Sequence, residues 1–248
     1  RYENAYTCQP VCGPARSAIF TGIFPHSNGV VTNSVPLGDN VKTVGQRLTD
    51  QGIRCGYIGK WHLDGGDYFG LGKCPEGWEK DYWYDMKMYL EELTQEERIR
   101  SRQSAECYKP DFSEEFTYAH RCTDRALRFL EEFGEEDFFL TVSYDEPHGP
   151  SLCPAPYNKM YEGFRFDATP EFQDDLKNKP LMQRLWAGDK LNAPESEVNQ
   201  ASDFLTLFLG CNSFVDYEIG RILHALREKT PDALVIFTSD HGDMLGAH

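Results

Sequence analysis

The sequence predicts an α/β fold with a mostly parallel central sheet flanked by helices on both faces, and three observations predict it. Short apolar runs at 54–59, 138–143 and 233–238 lack the alternation of a half-exposed strand and read as strands buried on both faces. Helical patterns stand between them, the rhythm that builds a parallel sheet. Each run is followed at once by Lys, His or carboxylate residues, which gathers those groups at one edge of the sheet.

Taken in order, the first element is Cys12-Gly13-Pro14-Ala15-Arg16-Ser17-Ala18-Ile19-Phe20-Thr21-Gly22. Pro14 suits the first helical position and Gly22 the residue just past the end. Cys12 then sits at a helix N-terminus, where unpaired N–H groups and the dipole favour an anion. Arg16 adds a planar cation suited to a tetrahedral oxyanion. Residues 41–51 read as a short helix stopped by Gly52, and Arg54 to Gly59 as the first strand. Residues 64–112, rich in Gly, Trp and Tyr, break the rhythm and contain a charged helical piece from 86 to 102. Residues 116–133 carry apolar positions at helical spacing, and Phe138 to Ser143 form the second strand. The Pro-rich, polar segment 150–194 is a second excursion. Both excursions are too long for simple connectors and are expected to shape a site over the sheet edge. Residues 201–229 form a long helix whose last turn holds Arg227 and Lys229, as the dipole prefers, and 233–238 is the third strand.

The bulk properties bound the partners. A chain of 248 residues buries a full core, and 40% apolar with 26% charged residues is ordinary for a globular domain. A formal charge of −15 argues against nucleic acid, which wants a basic face. It does not exclude an anionic substrate, because a local cation cluster and a bound metal outweigh a distant acidic surface. No stretch has the apolar length of a membrane span. The chain opens on Arg1-Tyr2-Glu3-Asn4 with no recognisable leader, which leaves the compartment, periplasmic or secreted or cytoplasmic, unread. The eight cysteines have no zinc spacing and read as mostly free thiols.

The strand ends carry the chemistry. After the first strand come Lys60-Trp61-His62, after the second Asp145-Glu146-Pro147-His148, and after the third Ser239-Asp240-His241-Gly242-Asp243. Ligands of open α/β sheets bind beyond the carboxyl ends of the strands. Singly, each group has a plain structural use; together they point to one site.

These blocks also resemble a known family. The C-x-P-x-R run from Cys12 to Arg16, the G-K-W-H block 59–62, Pro147-His148 with Pro150, and the S-D-H-G-x-x-L-G block 239–246 are similar to the signatures of the formylglycine-dependent sulfatases, in the family's order. The resemblance implies an alkaline-phosphatase-like fold and hydrolysis of a sulfate monoester. It implies that a maturase oxidises Cys12 to formylglycine, whose hydrate attacks sulfur. By the same resemblance Arg16 orients that residue, His62 is the base, Lys60 and His148 hold sulfate oxygens, and His148 helps protonate the leaving oxygen. Asp240, His241 and residue 12 are expected to bind a divalent cation, Ca²⁺ first by oxygen preference, with Mg²⁺ or Mn²⁺ as alternatives. Asp243 and His248 are expected near the substrate, a small-molecule or carbohydrate sulfate ester.

Two departures from the family pattern are visible: the paired aspartates of its first strand and a lysine beyond its D-H-G block have no counterpart. The sequence is therefore read as part of the catalytic domain, without the first strand and the C-terminal subdomain, and inactive by itself. A phosphonate monoester or phosphodiester hydrolase on the same scaffold is the nearest rival, and an unmodified, non-catalytic anion-binding protein is the rival of another class. A zinc phosphatase with Ser or Thr as nucleophile has no use for Pro14 and Arg16 at this spacing. Trp78, Tyr82, Trp83 and Tyr84 either stack on a sugar or aryl ring or form a packed cluster.

Overall fold

The protein is known from a computed structural model that describes residues 1–65, 68–164, 171, 174–187 and 195–245. In chain order the helices are α1 (Cys12–Thr21), α2 (Pro25–Asn28), α3 (Val44–Thr49), α4 (Met86–Glu92), α5 (Gln95–Arg100), α6 (Tyr118–Phe133), α7 (Leu181–Ala187) and α8 (Glu195–Lys229). The strands are β1 (Arg54–Gly59), β2 (Trp83–Tyr84) and β3 (Phe138–Ser143). They form one parallel sheet in the order β2-β1-β3. Arg54 pairs with Phe138 and Gly59 with Ser143, so β1 and β3 end level and their following residues leave the same edge together.

Successive residues of a strand face opposite sides, and β1 uses both. Cys55 and Tyr57 enter a core with Phe20 of α1, Val30, Trp61, Trp78 and Trp83. Ile58 enters a core with Tyr84 and with Tyr118, Cys122 and Ala126 of α6. α8 packs outside α6, where Cys211, Phe214 and Val215 meet Ala119. Helices thus cover both faces, as the unbroken apolar runs imply. The aromatic stretch resolves as packing: Trp78, Tyr82, Trp83 and Tyr84 are all buried, and Tyr57 lies 5.0 Å from Trp78 and 5.2 Å from Trp83 between ring centroids. All eight cysteines are free. No helix among the described residues is long and apolar enough to cross a membrane.

Four expectations are corrected. Pro14 is the third residue of α1, not the first; the whole first turn lacks intrahelical N–H partners, so proline is tolerated there. The helix expected at 41–51 is only Val44–Thr49, because Thr43 and Gln46 close a capping box that fixes its start. The piece at 86–102 is two helices, since Thr94 caps a new one with Glu97. The run 233–238 is not a strand. It has no ladder partner among the described residues, and Leu234 and Phe237 are 87% and 81% exposed. An apolar run becomes a strand only where a neighbour takes its backbone groups.

Gly59 makes the turn into the site. Its φ is 118°, and a Cβ there would fall onto the backbone of Ser143, which accepts the Lys60 N–H at 2.8 Å. Gly59→Ala is expected to destabilise the fold by about 2 kcal/mol or more through strain and forced strand separation. Denaturant unfolding of the variant checks this; an unchanged midpoint would show that β1 and β3 part freely at this end.

Candidate active site

The site begins at the N-terminus of α1. Cys12 is the first helical residue and is buried, and the next N–H, of Gly13, donates to Asn33 Oδ1 at 2.8 Å. Lys60 Nζ, just past β1, lies 3.7 Å from Cys12 Sγ. His241 Nε2 lies 3.1 Å from the same sulfur. Residues from three distant parts of the chain thus converge on one atom.

Arg16 ties them together. Its Nε donates to the Trp61 carbonyl at 2.8 Å, and its Nη2 donates to Tyr57 Oη at 2.7 Å, to Ser143 Oγ at 2.6 Å and to the Lys60 carbonyl. Nη1 stands 3.5 Å from Asp240. Burial opposes this charge, but Tyr57 and Asp240 outweigh it and hold the guanidinium pKa above its ordinary value. Arg16, a cation suited by type to an oxyanion, spends its fork on the protein and places the walls of the site.

Lys60 pairs with Asp145 at 3.0 Å, both side chains buried. Burial works against the Asp145 charge, while Lys60 and His148 hold its carboxyl below the usual range. Tyr68 donates to the same carboxylate, 2.6 Å from Oδ1 and 2.5 Å from Oδ2. The Tyr68 ring lies 4.9 Å from His148 and 5.5 Å from His62. His62 is buried, in a left-handed conformation (φ 58°), and its Nδ1 is buried without a partner. Burial first, then Lys60 and Arg16, lowers its pKa to about 4, so the imidazole is neutral at pH 7. His148 is exposed at the rim, with Nδ1 donating to the Gly149 carbonyl at 3.0 Å.

Ligating atoms of Cys12, Asp240 and His241 lie within 4.8 Å of one another. His241 Nδ1 donates to the Gly242 carbonyl at 2.8 Å, which leaves the Nε2 lone pair facing Cys12. This is the second contact that commonly orients a metal-binding histidine. A divalent ion here would take these three donors on one side; Ca²⁺, which takes about six to eight oxygen ligands, would need further groups besides them. A second group, Glu114, His120 and Glu218, does not fit a cation: Arg221 already lies 2.7 Å from Glu218 and 3.0 Å from His120.

The structure therefore brings together Cys12, Arg16, Lys60, His62, Asp240 and His241, with His148 joined through Tyr68. Asp243 is exposed and accepts the Leu245 N–H at 2.7 Å, a contact within its own turn. His248 lies outside the described residues. Sequence reasoning missed Tyr57, Ser143, Asn33 and Tyr68. The polar tips of Tyr57 and Ser143 inside apolar strands were a readable signal; Tyr68 and Asn33 carried none.

The model of the sulfatase family matches residues 1–248. The chain is 45% identical over 256 residues to the uncharacterized sulfatase YidJ of Escherichia coli (strain K12), covering 100% of this chain and 51% of that protein. It is 27% identical over 272 residues to a sulfatase of Formosa agariphila, covering 99% of this chain and 52% of that one. The phosphonate monoester hydrolase of Agrobacterium radiobacter superposes with a TM-score of 0.74 at 22% identity, over 98% of this chain and 55% of that one. The parallel sheet with helices on both faces is thus the alkaline-phosphatase-like fold. The chain spans about half the length of the curated relatives it matches.

Proposed function

From the premise that the chain belongs to the sulfatase family, we propose that the whole protein hydrolyses sulfate monoesters by covalent catalysis at residue 12. The observation that carries this is the position of Cys12, buried at a helix N-terminus between Lys60 at 3.7 Å and His241 at 3.1 Å. Oxidised to formylglycine and hydrated, residue 12 supplies two hydroxyls on one carbon, one to attack sulfur and one whose deprotonation expels sulfate as the aldehyde re-forms. A plain Ser or Cys lacks the second hydroxyl and would wait for water.

The other residues divide the work. Lys60 presents a cation to the sulfate oxygens, held in place by Asp145. His62, neutral at pH 7, offers a lone pair for the proton that leaves residue 12, and a bound sulfate raises its basicity. His148 keeps one N–H on Gly149, so as imidazolium its Nε2–H is free to protonate the departing oxygen. Residue 12, Asp240 and His241 would hold a divalent cation, whose charge polarises the sulfate.

The test uses the whole protein expressed with an active maturase. A peptide spanning residue 12 is expected to weigh about 18 Da less than the cysteine form, through loss of sulfur rather than the oxygen gain of ordinary thiol oxidation. The kcat/KM for an aryl sulfate is expected to exceed that for an aryl phosphonate monoester by at least about tenfold, a barrier difference of about 1.4 kcal/mol. An unmodified cysteine, or faster turnover of the phosphonate, would overturn the reading.

A further inference from the structure

Among the described residues, Arg102 is a cation without a counter-ion beside the site. The arginines near it are neutralised or occupied: Arg100 pairs with Glu106 at 2.7 Å and Asp111 at 2.9 Å, Arg121 pairs with Glu92 at 2.8 Å, and Arg98 donates to the Leu90 carbonyl at 2.6 Å. Arg102 is exposed, and among the described residues it forms no ion pair. Its guanidinium carbon lies 5.7 Å from the Tyr68 ring centroid and 5.0 Å from that of Phe69. On a chain of net charge −15, an arginine left over at the rim of an anion site has a use to explain.

Its surroundings belong to the site. Tyr68 is the ring on which His148 rests, and Lys60 Nζ is 5.0 Å from the same centroid. The two cations are therefore at most 10.7 Å apart, the sum of 5.0 and 5.7 Å. Arg102 and His148 also line one cavity of about 20 Å³, with Asp145, Glu146 and Pro150. Neither acid there competes for Arg102. Asp145 is committed to Lys60 and Tyr68. Burial first, then the Asp145 charge, raises Glu146 to about 8, so it is largely uncharged at pH 7.

We propose that Arg102 binds a second oxyanion of the substrate, a sulfate or a carboxylate one sugar position or so from the scissile sulfate held at Lys60. A separation of at most 10.7 Å between the two cations suits a monosaccharide with an anionic group at each end, and the planar fork of arginine suits either oxyanion. The inference rests on the sulfate-ester reading of the site, but it concerns binding and is tested without turnover.

The experiment is calorimetry on the whole protein carrying Cys12→Ala, with a monosulfated hexosamine, the corresponding disulfated hexosamine and a sulfated uronate. The disulfate or the uronate is expected to bind at least tenfold tighter than the monosulfate. Adding Arg102→Ala is expected to erase that preference while changing monosulfate affinity less than twofold. Which dianion gains more identifies the second group as sulfate or carboxylate. Equal affinities for all three, no binding of any, or an equal loss for all three on Arg102→Ala would each overturn the proposal. Failure of the hydrolytic reading shows separately, as a dianion preference intact in the Cys12→Ala protein with no hydrolysis by the parent.

Discussion

Cys12→Ala in the whole protein is expected to lower turnover of an aryl sulfate by about 10⁴-fold or more, as when the nucleophile of a covalent mechanism is removed. The residual rate would come from water attacking a sulfate still held by Lys60. The fold is expected to stay intact, because the substitution removes only a sulfur at a helix start whose next N–H is held by Asn33. Cys12→Ser separates the two hydroxyls of the mechanism. A serine attacks sulfur once but has no second hydroxyl to expel sulfate, so it should release about one alcohol per site and then stop. Rapid-quench measurement of the released alcohol reads this directly. Steady turnover by the serine variant near the parent rate would end the case for a hydrated aldehyde.

The strand-end groups were legible because the sequence order of a parallel sheet carries spatial information. A run that reads as a buried strand puts whatever follows it on the carboxyl edge, so Lys60, His62, Asp145 and His148 could be placed together without coordinates. Asp240 and His241 also reach the site, 3.5 Å from Arg16 and 3.1 Å from Cys12, although the run before them forms no strand. The apolar pattern of 233–238 records that these side chains suit burial; it does not say against what. Tyr68 shows the opposite failure. It sits in an aperiodic loop, and its role depends on Asp145, 77 positions away. No local pattern encodes that pairing. The role of Arg16 was half legible: its residue type and spacing announced an anion site, but only the fold shows that its donors are turned to the protein.

That inward turn makes Arg16 the second large effect. Arg16→Leu is expected to destabilise the fold by about 3–5 kcal/mol, the usual result of removing one partner from a buried charged network. The Trp61 and Lys60 carbonyls, Ser143 Oγ and Tyr57 Oη would each lose a donor inside the protein, and Asp240 would lose its nearest cation. Tyr57→Phe is the milder control. It removes one acceptor and the hydroxyl that donates to the Lys60 carbonyl at 2.5 Å, and should cost about 1 kcal/mol per net hydrogen bond. Arg16→Lys distinguishes structure from charge, because lysine keeps the charge but cannot fork to four acceptors on two chain segments. It should fold with a lowered midpoint and turn over about 10²-fold more slowly, since a shift of about an ångström in catalytic groups has that scale of effect. Denaturant titration and kcat together decide the matter. If Arg16→Lys keeps the parent midpoint and loses only kcat, the guanidinium acts on the bound oxyanion after all. If both fall and the pH profile keeps its shape, it acts by holding Lys60, Ser143 and Asp240 where the chemistry needs them.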